Sequence, residues 1–333
     1  MIDSVETVKR SGWTRAIRLI TQAKTSAPSL IIMYILMVIF FALMSKNYLT
    51  LTNFTSIMSN LTVLGIAAVG MTVVILSGGI DLSIGSMQGF TGVILALLFN
   101  IPFRLPIPII ILIGMIVGSL IGAINGFFVT KVRINPVITT LGTMSIFRGL
   151  CYIFATKYVG RIFDPTYLAM NRLYIFNALP ISFIYMLAFM GIMAIVLKFT
   201  KFGRNVYAVG GNLLAARLAG INTDRVRFMA YVISGLFSAL SAVVLTGQLG
   251  MGRPEFGTGN ELEVITAVVL GGISLAGGRG DFFGVLIAVL ILGSIGNGMV
   301  LLNVPIYWRQ VVKGFILIIA VSIDVIRYRR SRS

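Results

Sequence analysis

The chain has no histidine, one cysteine, and only 10 acidic residues among 333. Each scarcity removes a class of function. Without imidazole there are no histidine zinc ligands and no Ser-His-Asp relay. Cys151 alone cannot form a disulfide within the chain, and the apolar run around it predicts a buried, inert thiol. No Gly-x-x-x-x-Gly-Lys-Ser/Thr loop occurs, so any ATP must be bound by another polypeptide. The acids are mostly scattered singly, which leaves no credible catalytic or metal cluster and no expected cofactor. Charge itself is scarce: 11% of residues are charged and 57% hydrophobic, with a mean hydropathy of +0.98. A soluble core with its solvated surface does not have that balance.

What is present is apolar sequence in long runs, near residues 28–44, 57–76, 83–99, 106–130, 136–155, 179–199, 228–248, 262–276, 282–302 and 305–326. Roughly 20 apolar residues cross the hydrocarbon of a bilayer. The pattern predicts an all-α polytopic membrane bundle of about ten transmembrane helices with no separate soluble domain. The net charge of +17 does not point to nucleic acid, because lysine and arginine cluster at the ends of apolar runs. Lys9, Arg10, Arg15, Arg18 and Lys24 precede the first run, and Arg327, Arg329, Arg330 and Arg332 follow the last. Both termini are therefore expected in the cytoplasm, with an even number of spans. Lys131, Arg133, Arg279 and the 200–227 segment fall inside on that count. Lys46, Arg104, Lys157, Arg161, Arg172, Arg253 and Arg309 fall outside. The resulting division is a basic cytoplasmic segment 1–27, one membrane domain 28–326 and a basic cytoplasmic tail 327–333. The first run continues into KNYLT without a small-residue cleavage site, so it reads as a retained span.

Several local features mark candidate sites. Gly114, Gly118, Gly122 and Gly126, four apart, put four glycines on one helical face, where another helix should press close. Asn135 before Pro136 is a helix cap with proline in the first turn, and Asn303 before Pro305 resembles it. The strings GGIDLSIG (78–85) and GGISLAGG (271–278) share five of eight residues, an echo that a duplicated fold or chance could each produce. Asp81 is the acid beside the break at Gly78 and Gly79. Either Asp81 and Ser83 cap the next helix, or they coordinate an ion or solute at a discontinuous helix. Gly271 and Gly272 are the matching break. Glu261 and Glu263 are expected to open the eighth span from the outer side, as first-turn acids or as polar groups at an outer mouth. Arg148 and Lys313 lie in or near apolar runs and are expected to snorkel or to pair with an internal acid. Neutral polar side chains within spans, Asn125 and Thr143 among them, suit either helix contacts or an uncharged, hydroxyl-rich solute.

Between residues 200 and 227 the chain turns basic, small and polar: TKFGRNVYAVGGNLLAARLAGINTDRVR. Gly211 or Asn212 can cap a short helix carrying Ala215, Ala216 and Arg217, which Gly220 can close in the left-handed conformation. Such an element in a membrane protein points to contact with something soluble.

Three strings, VGMTVVILSGGIDLSIGS (69–86), FGRNVYAVGGN followed by AARLAGI (202–221) and ELEVITAVVLGGISLAGGRG (261–280), resemble the ribose-type permeases of bacterial ABC importers, and the resemblance covers nearly the whole chain. It implies an inner-membrane permease, not an enzyme, that dimerises with itself or a related subunit. The resemblance also implies an extracytoplasmic substrate-binding protein and a cytoplasmic ATPase. In this family the central polar loop contacts the ATPase, which maps onto residues 211–221. The solute would be a small polyhydroxylated molecule such as a monosaccharide or the furanosyl autoinducer-2. At Glu263 related sugar permeases often carry aspartate. The alternative reading is an ion-coupled secondary transporter using Asp81, Glu261 and Glu263.

Overall fold

A computed structural model describes residues 27–155 and 160–330. The expectations that rest on Lys9, Arg10, Arg15, Arg18, Lys24, Lys157 and Arg332 lie outside the described residues. The elements in chain order are α1 (Ala27–Met44), α2 (Leu51–Leu76), α3 (Ile84–Phe99), α4 (Ile107–Phe127), α5 (Pro136–Phe154), α6 (Pro165–Arg172), α7 (Ile181–Phe199), α8 (Lys201–Gly211), α9 (Leu213–Leu218), α10 (Thr223–Leu249), α11 (Asn260–Leu270), α12 (Phe282–Leu301) and α13 (Ile306–Arg330). One wider helical turn, Phe128–Val132, extends α4, and a two-stranded antiparallel hairpin, Tyr174–Ile175 with Leu179–Pro180, joins α6 to α7.

Among the described residues six helices are long and apolar enough to cross a membrane: α2, α4 with its extension, α5, α7, α10 and α12. Pro28–Met44 and Ile84–Phe99 are apolar but shorter. The expectation of about ten spans is thus met only in part, for identifiable reasons. The run at 262–276 is interrupted at Gly271 and Gly272, leaving α11 only 11 residues, about 16 Å of helix. The final run carries Arg309, Lys313 and Asp324 along α13.

The bundle is built around α2 and α10. In its most apolar stretch α2 is 83% buried, against 28% for α4, α5 and α7, so α2 is central and those three are peripheral. Without a hydrophobic difference between helix and lipid, close backbone packing must hold such helices together. The glycine face of α4 supplies it. A Cβ on Gly118 or Gly122 would collide with the Gly235 or Tyr231 carbonyl oxygen of α10, and one on Gly126 would meet the Phe228 carbonyl oxygen at 3.0 Å. Gly114 faces Leu95 and Thr91 of α3 instead. On the far side of α4, Ile109, Leu112, Ile116 and Leu120 are exposed, as lipid contact requires.

Asn135 Oδ1 accepts from the Val137 amide and starts α5 as its sequence predicts. Asn303 behaves differently: at φ 53° it closes α12, with the Val304 amide donating to the Met299 carbonyl. At one end of the bundle, Ile162 N–H donates to Gly250 O (2.8 Å), Gly252 N–H to Gly160 O (2.9 Å) and Asn100 Nδ2 to Arg161 O (3.0 Å). From there the chain descends beside α3. The Gly252, Phe256 and Gly257 backbone lies against Gly92, Gly89 and Gly85 in turn, so that α11 begins inside the bundle.

Candidate coupling and gating site

The polar segment folds as the capping residues dictate. Thr200 Oγ1 accepts from the Gly203 amide (3.2 Å) and starts α8. Asn212 Oδ1 accepts from the Ala215 amide (2.9 Å) and starts α9. Gly220 at φ +79° ends the following turn, and Asn222 Oδ1 starts α10 by accepting from the Arg225 amide (2.9 Å). Each cap satisfies amides that a helix leaves unpaired. Arg217 donates to Thr223 Oγ1 (3.2 Å) and lies 3.4 Å from Asp224, tying α9 to the head of α10. Ala216 is buried in the core while Ala215 is exposed. The outward surface of α9 is therefore not only small: Leu214 is 67% and Leu218 81% exposed.

The same segment touches the first glycine break and the loop that follows the second. Gly278 N–H donates to Leu76 O at 3.0 Å. A Cβ on Gly210 would collide with that same oxygen and stand 2.6 Å from the Gly278 nitrogen, and one on Gly277 would lie 3.1 Å from the Cα atoms of Gly210 and Gly78. Three backbones meet where no side chain fits, so glycine is required here by close approach. Tyr207 of α8 donates its hydroxyl to Gly280 O at 2.9 Å. Burial, and then Asp281, push that hydroxyl's pKa up, so it remains a neutral donor.

The two breaks close alike. At the end of α2, Gly78 N–H donates to Ile75 O and Gly79 N–H to Val74 O, with Gly78 at φ +79°. At the end of α11, Gly272 N–H donates to Val269 O and Ile273 N–H to Val268 O, with Gly272 at φ +92°. Both are the left-handed glycine closure of a helix. Gly272 thus stands where Gly78 does, and the structural match is one residue out of step with the match of the two strings.

Asp81 is fully buried. Its Oδ1 accepts from the Ser83 amide (3.0 Å) and hydroxyl (2.6 Å), and its Oδ2 from the Ser234 hydroxyl of α10 (2.8 Å). Ser83 Oγ accepts from Asn125 Nδ2 of α4 (2.8 Å), and Asn125 Oδ1 accepts from the Thr143 hydroxyl of α5 (2.7 Å). Four helices are joined to the first break by this chain. Ser83 itself makes no capping bond at the head of α3, because its hydroxyl is turned to Asp81.

Glu261 and Glu263 do not sit at the end of the bundle where Asn100 and Gly250 meet. The inward course of the 252–257 backbone carries Glu261 to the first turn of α3, where its Oε2 lies against Gly85. Beside it Gln88 donates to Ser241 (2.8 Å) and accepts from Asn260 (2.9 Å). Glu263 pairs with Lys313 of α13 at 2.7 Å. Arg148 donates to the Pro254 and Phe256 carbonyls, fastening the descending segment to α5. Sequence reasoning missed Ser234, an ordinary helix serine by pattern, and Asp324, whose Oδ2 accepts from the Leu275 amide (3.0 Å) just past the second break. A signal for Asp324 existed: it is the one acid in the last apolar run.

Residues 53–321 match the family described as branched-chain amino acid transport system / permease component. The chain is 39% identical to the ribose import permease of Bacillus subtilis over 298 residues, 87% of this chain and 89% of that protein. It is 38% identical to the L-arabinose transport system permease of Escherichia coli, over 91% of this chain and 92% of that one. The autoinducer 2 import system permease of Photorhabdus luminescens is 35% identical, over 85% of each chain. No solved structure matches the chain. These matches favour the importer over an ion-coupled carrier: the chain belongs to this permease family and is a membrane-spanning permease of the ABC-importer type in the bacterial inner membrane.

Proposed function

We propose that the chain imports a small polyhydroxylated solute of the monosaccharide class, the chemistry named by its ribose, arabinose and autoinducer-2 relatives. An extracytoplasmic binding protein delivers the solute, a cytoplasmic ATPase supplies the energy, and a second permease subunit, identical or related, completes the gate. The chain performs no bond chemistry of its own. Both termini and the 200–227 segment face the cytoplasm, and α3 and α11 are the discontinuous elements of a ten-run bundle.

The observation that carries this reading is the junction of Gly210 with Leu76 and Gly278. A push on the exposed face of α9 reaches Gly210 and Gly211 directly through Asn212. Because backbone touches backbone there, no side chain can yield, and displacement of α8 must move the end of α2 and the turn at Gly277 and Gly278 that follows α11. Gly78, Gly79, Asp81, Ser83, Gly271 and Gly272 then belong to the moving gate, with Asp81 holding the first break to α10 rather than binding an ion. Gln88, Ser241, Asn260 and Glu261 supply polar groups inside the bundle that a hydroxyl-rich solute can exchange with weakly. Weak contacts suffice, because affinity resides in the binding protein.

The test is Ala215→Arg in the complex reconstituted into liposomes. Ala215 is exposed, so the substitution leaves the permease inserted. Uptake and permease-stimulated ATP hydrolysis should both fall to background. Normal values for both would remove the docking role from α9.

A further inference from the structure

A cleft of about 270 Å³ opens between the α4–α5 turn and the α9–α10 corner, lined by Thr130, Arg133, Asn135, Arg217, Asp224 and Arg227 among others. Its charge is unbalanced. Asp224 lies against Arg217, while Arg133 and Arg227 have no carboxylate within ion-pair distance among the described residues. Arg227 Nε is also buried without a hydrogen-bond partner. A buried donor left unsatisfied is costly, and more so on a charged group. An acceptor of negative charge would resolve both. Part of its lining is of the opposite character: Ile134 and Leu213 are exposed and apolar, as is Val132 next to Arg133 in the chain. The cleft stands at the ends of α4 and α5, two helices of membrane-crossing length.

A cationic interior with apolar residues beside it at the ends of two spans is what a phospholipid with a negative headgroup requires. Its place at the ends of two apolar helices of membrane-crossing length favours a lipid over an acidic protein surface. We propose that this cleft binds the phosphate of an anionic phospholipid between Arg133 and Arg227, with the acyl chains lying along Val132 and Ile134. Its assignment to the cytoplasmic leaflet rests on the orientation proposed above; the existence of the site does not. A bound headgroup would tie the α4–α5 turn to the head of α10 beside α9, so that the lipid becomes part of the coupling corner.

The full-length permease in nanodiscs of equimolar phosphatidylglycerol and phosphatidylcholine tests this, with retained lipid read by native mass spectrometry. The wild-type chain should retain phosphatidylglycerol in preference. Retention should fall about fivefold in Arg133→Gln or Arg227→Gln and roughly 30-fold in the double variant, following the free energy that each basic residue contributes near an anionic surface. Arg227→Lys should keep most of the retention, and Arg225→Gln, exposed and outside the cleft, should keep all of it. Retention in Arg227→Lys separates loss of charge from loss of structure at that position, and retention in Arg225→Gln shows that a neighbouring charge does not matter. Equal retention in all variants overturns the site. Displacement of the lipid by millimolar inorganic phosphate, with phosphate bound in lipid-free detergent, overturns the lipid and leaves a free-anion site. Loss of ATPase co-purification in the double variant with lipid retention unchanged also overturns it, making the cleft an ATPase contact. Failure of the coupling reading would appear in stimulated ATP hydrolysis alone and leave retention untouched.

Discussion

The two glycine breaks share a closure but differ in what holds them. After α2, the carboxylate that satisfies the turn is Asp81 of the turn itself, fully buried and bonded to α10, while Ser83 links onward to α4 and α5. After α11, the carboxylate comes from another helix: Asp324 of α13 accepts from the Leu275 amide, at a half-buried site. Lys313 and Asp324 are 11 residues apart, three helical turns, and so share a face of α13. One reaches Glu263 in the first turn of α11 and the other the turn beyond its end. The first break is therefore locked into the centre, and the second is clasped from the edge. On the gating role proposed above, one break is the anchored end and the other is the end held from the periphery.

The sharpest way to break the comparison is where the first break meets the turn at Gly277 and Gly278 beyond the second. Gly210→Val would drive a side chain into the Leu76 carbonyl and the Gly278 amide, with no flexible neighbour to give way. Uptake should be abolished, and thermal unfolding in detergent should show the largest loss of any variant here. Gly211→Ala, where a Cβ meets nothing within 4 Å, should be close to silent in the same assay. Next in size is Asp81→Ala. It strands the Ser83 amide, the Ser83 hydroxyl and the Ser234 hydroxyl in a dry interior, and should cost about 3 kcal/mol or more in the denaturation midpoint. Asp324→Ala removes one backbone cap and a long bond from the Ser274 hydroxyl (3.4 Å) at a half-buried site, and should cost about 1 kcal/mol. If Asp324→Ala costs as much as Asp81→Ala, the two breaks are held alike and the distinction between anchor and clasp fails.

Several helix caps were legible from local sequence, because caps are local chemistry, although Asn303 and Ser83 turned to other roles. Asn212, Gly220 and Asn135 occupy the roles that their side chains and spacing suggest. The glycine face of α4 was equally legible, since period and residue size together require a close neighbour. What the sequence could not convey was depth. Glu261 reads as the mouth of a span because acids favour helix starts, yet the turn-rich 252–257 backbone, accommodated by Gly85, Gly89 and Gly92, carries that start inward. The meeting of Gly210 with Leu76 and Gly278 is invisible for the same reason: contacts between residues far apart in sequence leave no periodicity. The echo between residues 78–85 and 271–278 did point to the right pair of turns, but one residue out of step, because matching letters rewarded the doublet while the backbone aligned Gly78 with Gly272.

The smallest expected effect separates a clasp from two unrelated contacts. Glu263 and Lys313 are partly exposed, so a Glu263→Gln change should cost only about 0–1 kcal/mol by itself. If α13 holds α11 as one rigid strap, either fastening alone keeps the strap in place, and only loss of both lets it lift. The double variant Glu263→Gln with Asp324→Ala should then lose more than the sum of the single losses, by about 0.5 kcal/mol or more. A double-mutant cycle on the unfolding midpoint reads that excess directly. Strict additivity would mean that the two contacts act independently, and the second break would owe its position to the Gly278–Leu76 bond rather than to α13.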